Sequence, residues 1–225
     1  MYLTVLIAVV TLLMTGCDQV ANVGNNNVRP EGEMMHEVMS FDAFNGINID
    51  GVFDVVYRQS DEHRLELEMQ ESLFEITEID VVNGILQVNQ NQRGLSFQGE
   101  DEIPRLYIYA PYLTEVTLDG VITARNWDAI YVDDFTLHID GVTTLTMSGR
   151  AETASFNIDG VSSVDALDFE TTSAMIDIDG VSDVSISVES YLDVSIEGIS
   201  TVEYRGNPTI TERYVDMLST LRQIN

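Results

Sequence analysis

Lysine is absent from this chain of 225 residues, and all ten basic residues are arginine. Against 38 Asp and Glu, that leaves a formal net charge of −28. A field of this sign repels nucleic acid phosphates and anionic lipid headgroups, so no nucleic acid partner is expected, while cations and basic surfaces are attracted. Cysteine is nearly absent as well: Cys17 is the only one, so no disulfide within the chain can staple the fold. Histidine occurs three times, and no Ser/His/Asp spacing, zinc motif or phosphate loop accompanies it. An enzyme therefore ranks behind a binding or structural protein, for want of an acid/base pair. The hydrophobic fraction of 44% is ordinary, so the acidity is not that of a disordered chain.

Only one long apolar run exists, MYLTVLIAVVTLLMTG at residues 1–16, and it carries no charged side chain. It is short of the ~20 residues of a membrane span and fits the core of an export signal. It ends in LMTGC, which resembles the lipobox of bacterial lipoproteins. That resemblance implies cleavage before Cys17, acyl chains on it, and a lipid-anchored protein of the bacterial cell envelope, on the outer membrane or the periplasmic face of the inner one. Residues 17–37 are polar, contain Gly, Asn and Pro, and show no periodicity, so they read as a flexible tether. The domain is then expected over 38–225. Met34, Met35 and His36 in the tether are a weak soft-metal pattern.

What the chain has in abundance is one phrase. VTLDGVITA, LHIDGVTTL, FNIDGVSSV, IDIDGVSDV and VSIEGISTV centre on Gly120, Gly141, Gly160, Gly180 and Gly198, at spacings of 21, 19, 20 and 18. An earlier copy, INIDGVFDV, centres on Gly51. Spacings near 20 mark stacked units. Two and four residues before each glycine the side chains are apolar, as in Ile158 and Phe156, which is the period of a strand. The next apolar residues stand one and four after it, as in Val161 and Val164. Those steps of three predict a phase slip, with the glycines acting as bends and the residues at +1 filling the interior.

The expected fold is all-β: a parallel β-helix with a rung of about 20 residues, irregular N-terminal strands and a C-terminal cap. Asn83-Gly84, between IDVV and ILQV, predicts a hairpin. Tyr204, Ile210, Tyr214, Leu218 and Ile224 are candidate covers of the C-terminal end, in a tail read as strand rather than helix.

The layout FDAFNGINIDGVFDVVYRQ, VVNGILQV, LYIYAPYLTEVTLDGV and the repeated glycines resembles the head GIN domain family of putative auto-transporter adhesins. The resemblance spans residues 38–225 and implies a bacterial cell-envelope protein with a β-helix-like fold. Where that family commonly writes Ser-Gly, this chain writes Asp-Gly, or Glu197-Gly198.

Stacking would line up Asp119, Asp140, Asp159, Asp179 and Glu197 in an outward ladder. Asp beside Gly favours turns; stacked carboxylates also suit Ca²⁺, which takes several oxygen ligands. Calcium at this ladder is the one cofactor the sequence suggests, and none is required. Arg125, Arg150 and Arg205 have offsets of 5, 9 and 7 from the nearest preceding repeat glycine, so they are expected not to share a column. Trp127, Tyr131 and Tyr191 either stack sugars or pack corners. His138 is expected to point outward, and His63 has no evident partner. The leading reading is a noncatalytic binding module presenting an acidic face to a glycan or protein. A structural or regulatory envelope lipoprotein, and an enzyme acting on polysaccharide, are the alternatives.

Overall fold

A computed structural model describes residues 28–91 and 94–225. The apolar run, Cys17 and the first part of the expected tether lie outside the described residues. The chain is all-β, with 72% strand and 4% helix, and its sheet is open, with no barrel closure. Twelve strands follow in order: β1 Met34–Ser40, β2 Gly46–Gln59, β3 Arg64–Gln70, β4 Thr77–Val82, β5 Ile85–Gln90, β6 Arg105–Ala110, β7 Glu115–Ala124, β8 Ile130–Gly180, β9 Asp183–Gly198, β10 Thr201–Arg205, β11 Thr209–Val215 and β12 Thr220–Ile224. A four-residue helix, Glu71–Phe74, and a 3-10 turn, Glu100–Glu102, are the helical pieces among the described residues. Strand β1 pairs antiparallel with β3, so ordered structure begins at least at Met34, inside the stretch read as tether.

The repeated phrase forms the parallel part of the sheet. Gly51 pairs with Gly120, Gly120 with Gly141, and Gly180 with Gly198, each in register with its flanking residues. The copy at Gly51 lies directly against the copy at Gly120, although strands β3 to β6 intervene in sequence. Those intervening strands extend the sheet beyond β2: β5 and β6 join it in parallel, β3 lies antiparallel to β6, and β1 lies antiparallel to β3 at the edge. The β4–β5 hairpin turns on Asn83 and Gly84, both at positive φ (54° and 79°), as an Asn-Gly turn requires.

At the other end the tail is strand, as expected: β11 lies against β9 and β12 against β10, both parallel. Tyr204, with Val215 and Leu221, packs partly buried against the core. Tyr214 and Leu218 do not cover the end as expected; they are 53% and 69% exposed.

The core runs the length of the stack, from Phe44 to Val202. Three phenylalanines sit at its centre, with Phe135 5.3 Å from Phe169 and 6.3 Å from Phe156 in tilted and edge-on contacts. Trp127 is buried 6.0 Å from Tyr57 and donates its indole N–H to the Val55 carbonyl at 2.8 Å. It is a packing residue, while Tyr131 and Tyr191 are exposed. His63 finds a partner after all, edge-on to Phe44 at 5.1 Å.

The face built by the repeat

The expected phase slip does not occur. One residue after each glycine, Val121, Val142, Val161, Val181 and Ile199 are 50–57% exposed, whereas two after it Ile122, Thr143, Ser162, Ser182 and Ser200 are 1–6% exposed. Alternation runs unbroken through the glycine, so the residue after it faces solvent and the next one, Ile122 or a small hydroxyl residue, faces in. Hydropathy alone misplaced both. A buried hydroxyl is tolerable when it is hydrogen-bonded; a ladder supplies such bonds from Ser182 onward, while the buried hydroxyls of Thr143 and Ser162 have no partner among the described residues. Ser182 Oγ accepts the Ser162 N–H at 3.1 Å, Ser200 Oγ accepts the Ser182 N–H at 2.9 Å, and Ser219 Oγ accepts the Ser200 N–H at 3.1 Å. Ser200 and Ser219 in turn donate to the carbonyls of Gly180 and Gly198, both at 3.1 Å.

The glycines are required by what lies beneath them. All six have φ between 96° and 143°. A Cβ on Gly120, Gly141, Gly160, Gly180 or Gly198 would stand 2.2–2.4 Å from the carbonyl oxygen of the preceding glycine. No side chain fits there. At Gly51, the first glycine of the repeat, the Gln90 side chain takes over: its Oε1 accepts the Val52 N–H at 2.9 Å. Further down the stack the Val181 N–H meets the Gly160 carbonyl and the Ile199 N–H meets that of Gly180, both at 2.8 Å. Gln90 therefore ends the column by imitating a glycine carbonyl.

Outward, the stack presents two parallel columns. Asp50, Asp119, Asp140, Asp159, Asp179 and Glu197 form one, all exposed. Val52 and the five exposed residues from Val121 to Ile199 form the other, two residues further along each strand. From three residues before each glycine to three after, no arginine occurs in any copy; His138, exposed as expected, is the one basic side chain. Neighbouring unit charges about 4.8 Å apart repel by roughly 0.9 kcal/mol in water. Taken alone, that repulsion opposes the stacking. Among the described residues, no three of His, Cys, Asp and Glu lie close enough together to hold a metal ion.

Two clefts lie away from this face. Arg150 and Arg205, expected apart, line one cavity of about 370 Å³ together with Glu170 and Glu189. The β8–β9 pairing beside them shifts register between Ala166 and Glu170 and between Thr171 and Ser173, irregularities that offset counting does not contain. Arg205 is tied to the Leu167 carbonyl at 3.3 Å. The second cavity, about 430 Å³, is lined by Asp54, Glu100, Arg105, Tyr107 and Arg125 among others. Burial raises the Asp54 carboxyl above its ordinary range, against the opposing pull of Arg105, whose guanidinium is 3.9 Å away.

A family model described as "Putative auto-transporter adhesin, head GIN domain" matches residues 43–208. Among solved structures, a putative adhesin from Bacteroides fragilis is similar at 17% identity and a TM-score of 0.67, covering 88% of this chain and all of the other. A putative adhesin from Parabacteroides merdae matches at 18% identity and TM-score 0.48, over 88% of this chain and 99% of the other. A putative lipid binding protein from Parabacteroides distasonis matches at 16% identity and TM-score 0.41, over the same shares. No curated protein matches the chain.

Proposed function

The chain belongs to the putative auto-transporter adhesin, head GIN domain family, and from that premise we propose that it is a noncatalytic binding module of the bacterial cell envelope, presenting its acidic face to a partner. We read the in-register stack as a parallel β-helix, because one 51-residue strand, Ile130–Gly180, carries three stacked glycines about 20 residues apart. A straight strand of that length would extend about 170 Å at about 3.3 Å per residue. Lipid attachment at Cys17 would hold the module on the membrane.

The single observation that carries the reading is the outward Asp–Gly–Val array. Its outward acidic and β-branched side chains repeat over six copies, Glu–Gly–Ile in the last, and lie outside the buried core. A face maintained against its own charge is suited to meeting something else.

The test is a binding screen of the protein from residue 28 onward against an array of neutral, acidic and basic glycans and against basic proteins. Saturable binding that is lost when Asp140 and Asp159 become Asn supports the reading. Binding that survives those changes removes the face from the function. The calcium reading of the ladder has its own check, a melting temperature that rises with millimolar Ca²⁺ and falls back with EDTA.

A further inference from the structure

We propose that the acidic–valine face is the docking site of a basic amphipathic α-helix laid along the stacking direction. This rests on the binding-module reading above and names the partner. Five outward β-branched side chains, Val121 to Ile199, make an apolar line with half of each side chain in water (50–57% exposed). The partner must be apolar along that line and basic beside it, since the neighbouring column is carboxylate and no arginine lies within three residues of any of the six repeat glycines. A second copy of this chain fails the charge condition, because its net charge is −28.

Periodicity selects a helix over an extended segment. Copies recur about every 4.8 Å along the stack. An α-helix returns a side chain to one face about every 5.4 Å, so it slips by about 0.6 Å per copy and by about 3 Å over five steps. A Lys or Arg side chain can absorb that. An extended strand returns a side chain to one face about every 6.8 Å, slipping about 2 Å per copy, and loses registry within three. A helix of about 16 residues, roughly 24 Å long, spans all six copies.

The test uses the full chain, immobilised through its N-terminus, and three synthetic 16-residue probes. One is a Leu/Lys peptide with leucine at helical spacing, the second an isomer of the same composition with strict Leu-Lys alternation, and the third the helical peptide with Glu in place of Lys. The helical Leu/Lys peptide is expected to bind at least tenfold more tightly than either of the others. Binding should fall at least tenfold in the double variant Val142→Ser, Val161→Ser, whose unchanged melting curve would show that the fold survives. If the alternating isomer binds as tightly as the helical one, the helical occupant is wrong, while the glycan and protein screen still decides whether the face binds at all. Unaltered binding by the valine variant would overturn the docking site, leaving only nonspecific attraction of cations to an acidic protein.

Discussion

At the scale of single residues, the repeat glycines are decided by a carbonyl oxygen rather than by the turn they were expected to make. Gly160, at φ 110°, would carry its Cβ 2.2 Å from the Gly141 oxygen. Both terms act together in Gly160→Ala, strained backbone and steric overlap, and neither neighbour can retreat, because both are backbone held in register. The expected loss is on the order of 3 kcal/mol in urea unfolding. Ser163→Ala, three residues on and exposed, should change stability by less than about 0.5 kcal/mol. Equal effects would show that the glycine column is dispensable. The glycines themselves were plain in the sequence. What was not plain was which neighbour faced inward, since Val161 is apolar and Ser162 polar, yet the valine is 54% exposed and the serine 6%. Unbroken alternation along the strand places the serine inward, where its backbone N–H donates to Ser182 Oγ of the next copy at 3.1 Å.

At the scale of elements, β2 joins the repeat to the irregular strands, and Tyr57 anchors that junction. Its hydroxyl donates to the Ala110 carbonyl of β6 at 3.1 Å. Burial, reinforced by the Asp128 carboxylate, pushes the phenol up to about 12 from 10.0. The folded state thus holds this proton more tightly than the unfolded one. The contribution is intact below pH 10 and is lost as pH rises through 12. Tyr57→Phe should flatten stability against pH in that window, at a neutral-pH cost of about 0.5–1.5 kcal/mol. The cost stays modest because the Ala110 carbonyl also accepts the Ser60 N–H at 3.0 Å. Chemical denaturation at a series of pH values checks both parts, and an unchanged slope between pH 10 and 12 would remove Tyr57 from the account.

At the scale of the whole molecule, charge dominates. Exposed ion pairs such as Arg58–Asp128, at 3.6 Å, contribute little, whereas a net charge of −28 repels itself throughout. Salt shortens the Debye length from about 30 Å at 0.01 M to about 10 Å at 0.1 M. The melting temperature should therefore rise over that range. A fall would mean that the ion pairs outweigh the self-repulsion.

The sequence by itself determined the all-β class, the positions of the stacked glycines and the Asn83-Gly84 turn, because these follow from local rules: period-two patterning, backbone freedom without a Cβ, and turn chemistry. Tertiary structure alone decided that Gly51 lies against Gly120 across an intervening block of strands, that Arg150 and Arg205 share a cleft, that Gln90 closes the glycine column, and that valine faces water while serine faces in. Each of those depends on what the neighbouring copy offers, a carbonyl, a hydroxyl or a register shift, and a side chain's own hydropathy carries no record of its neighbour across the sheet.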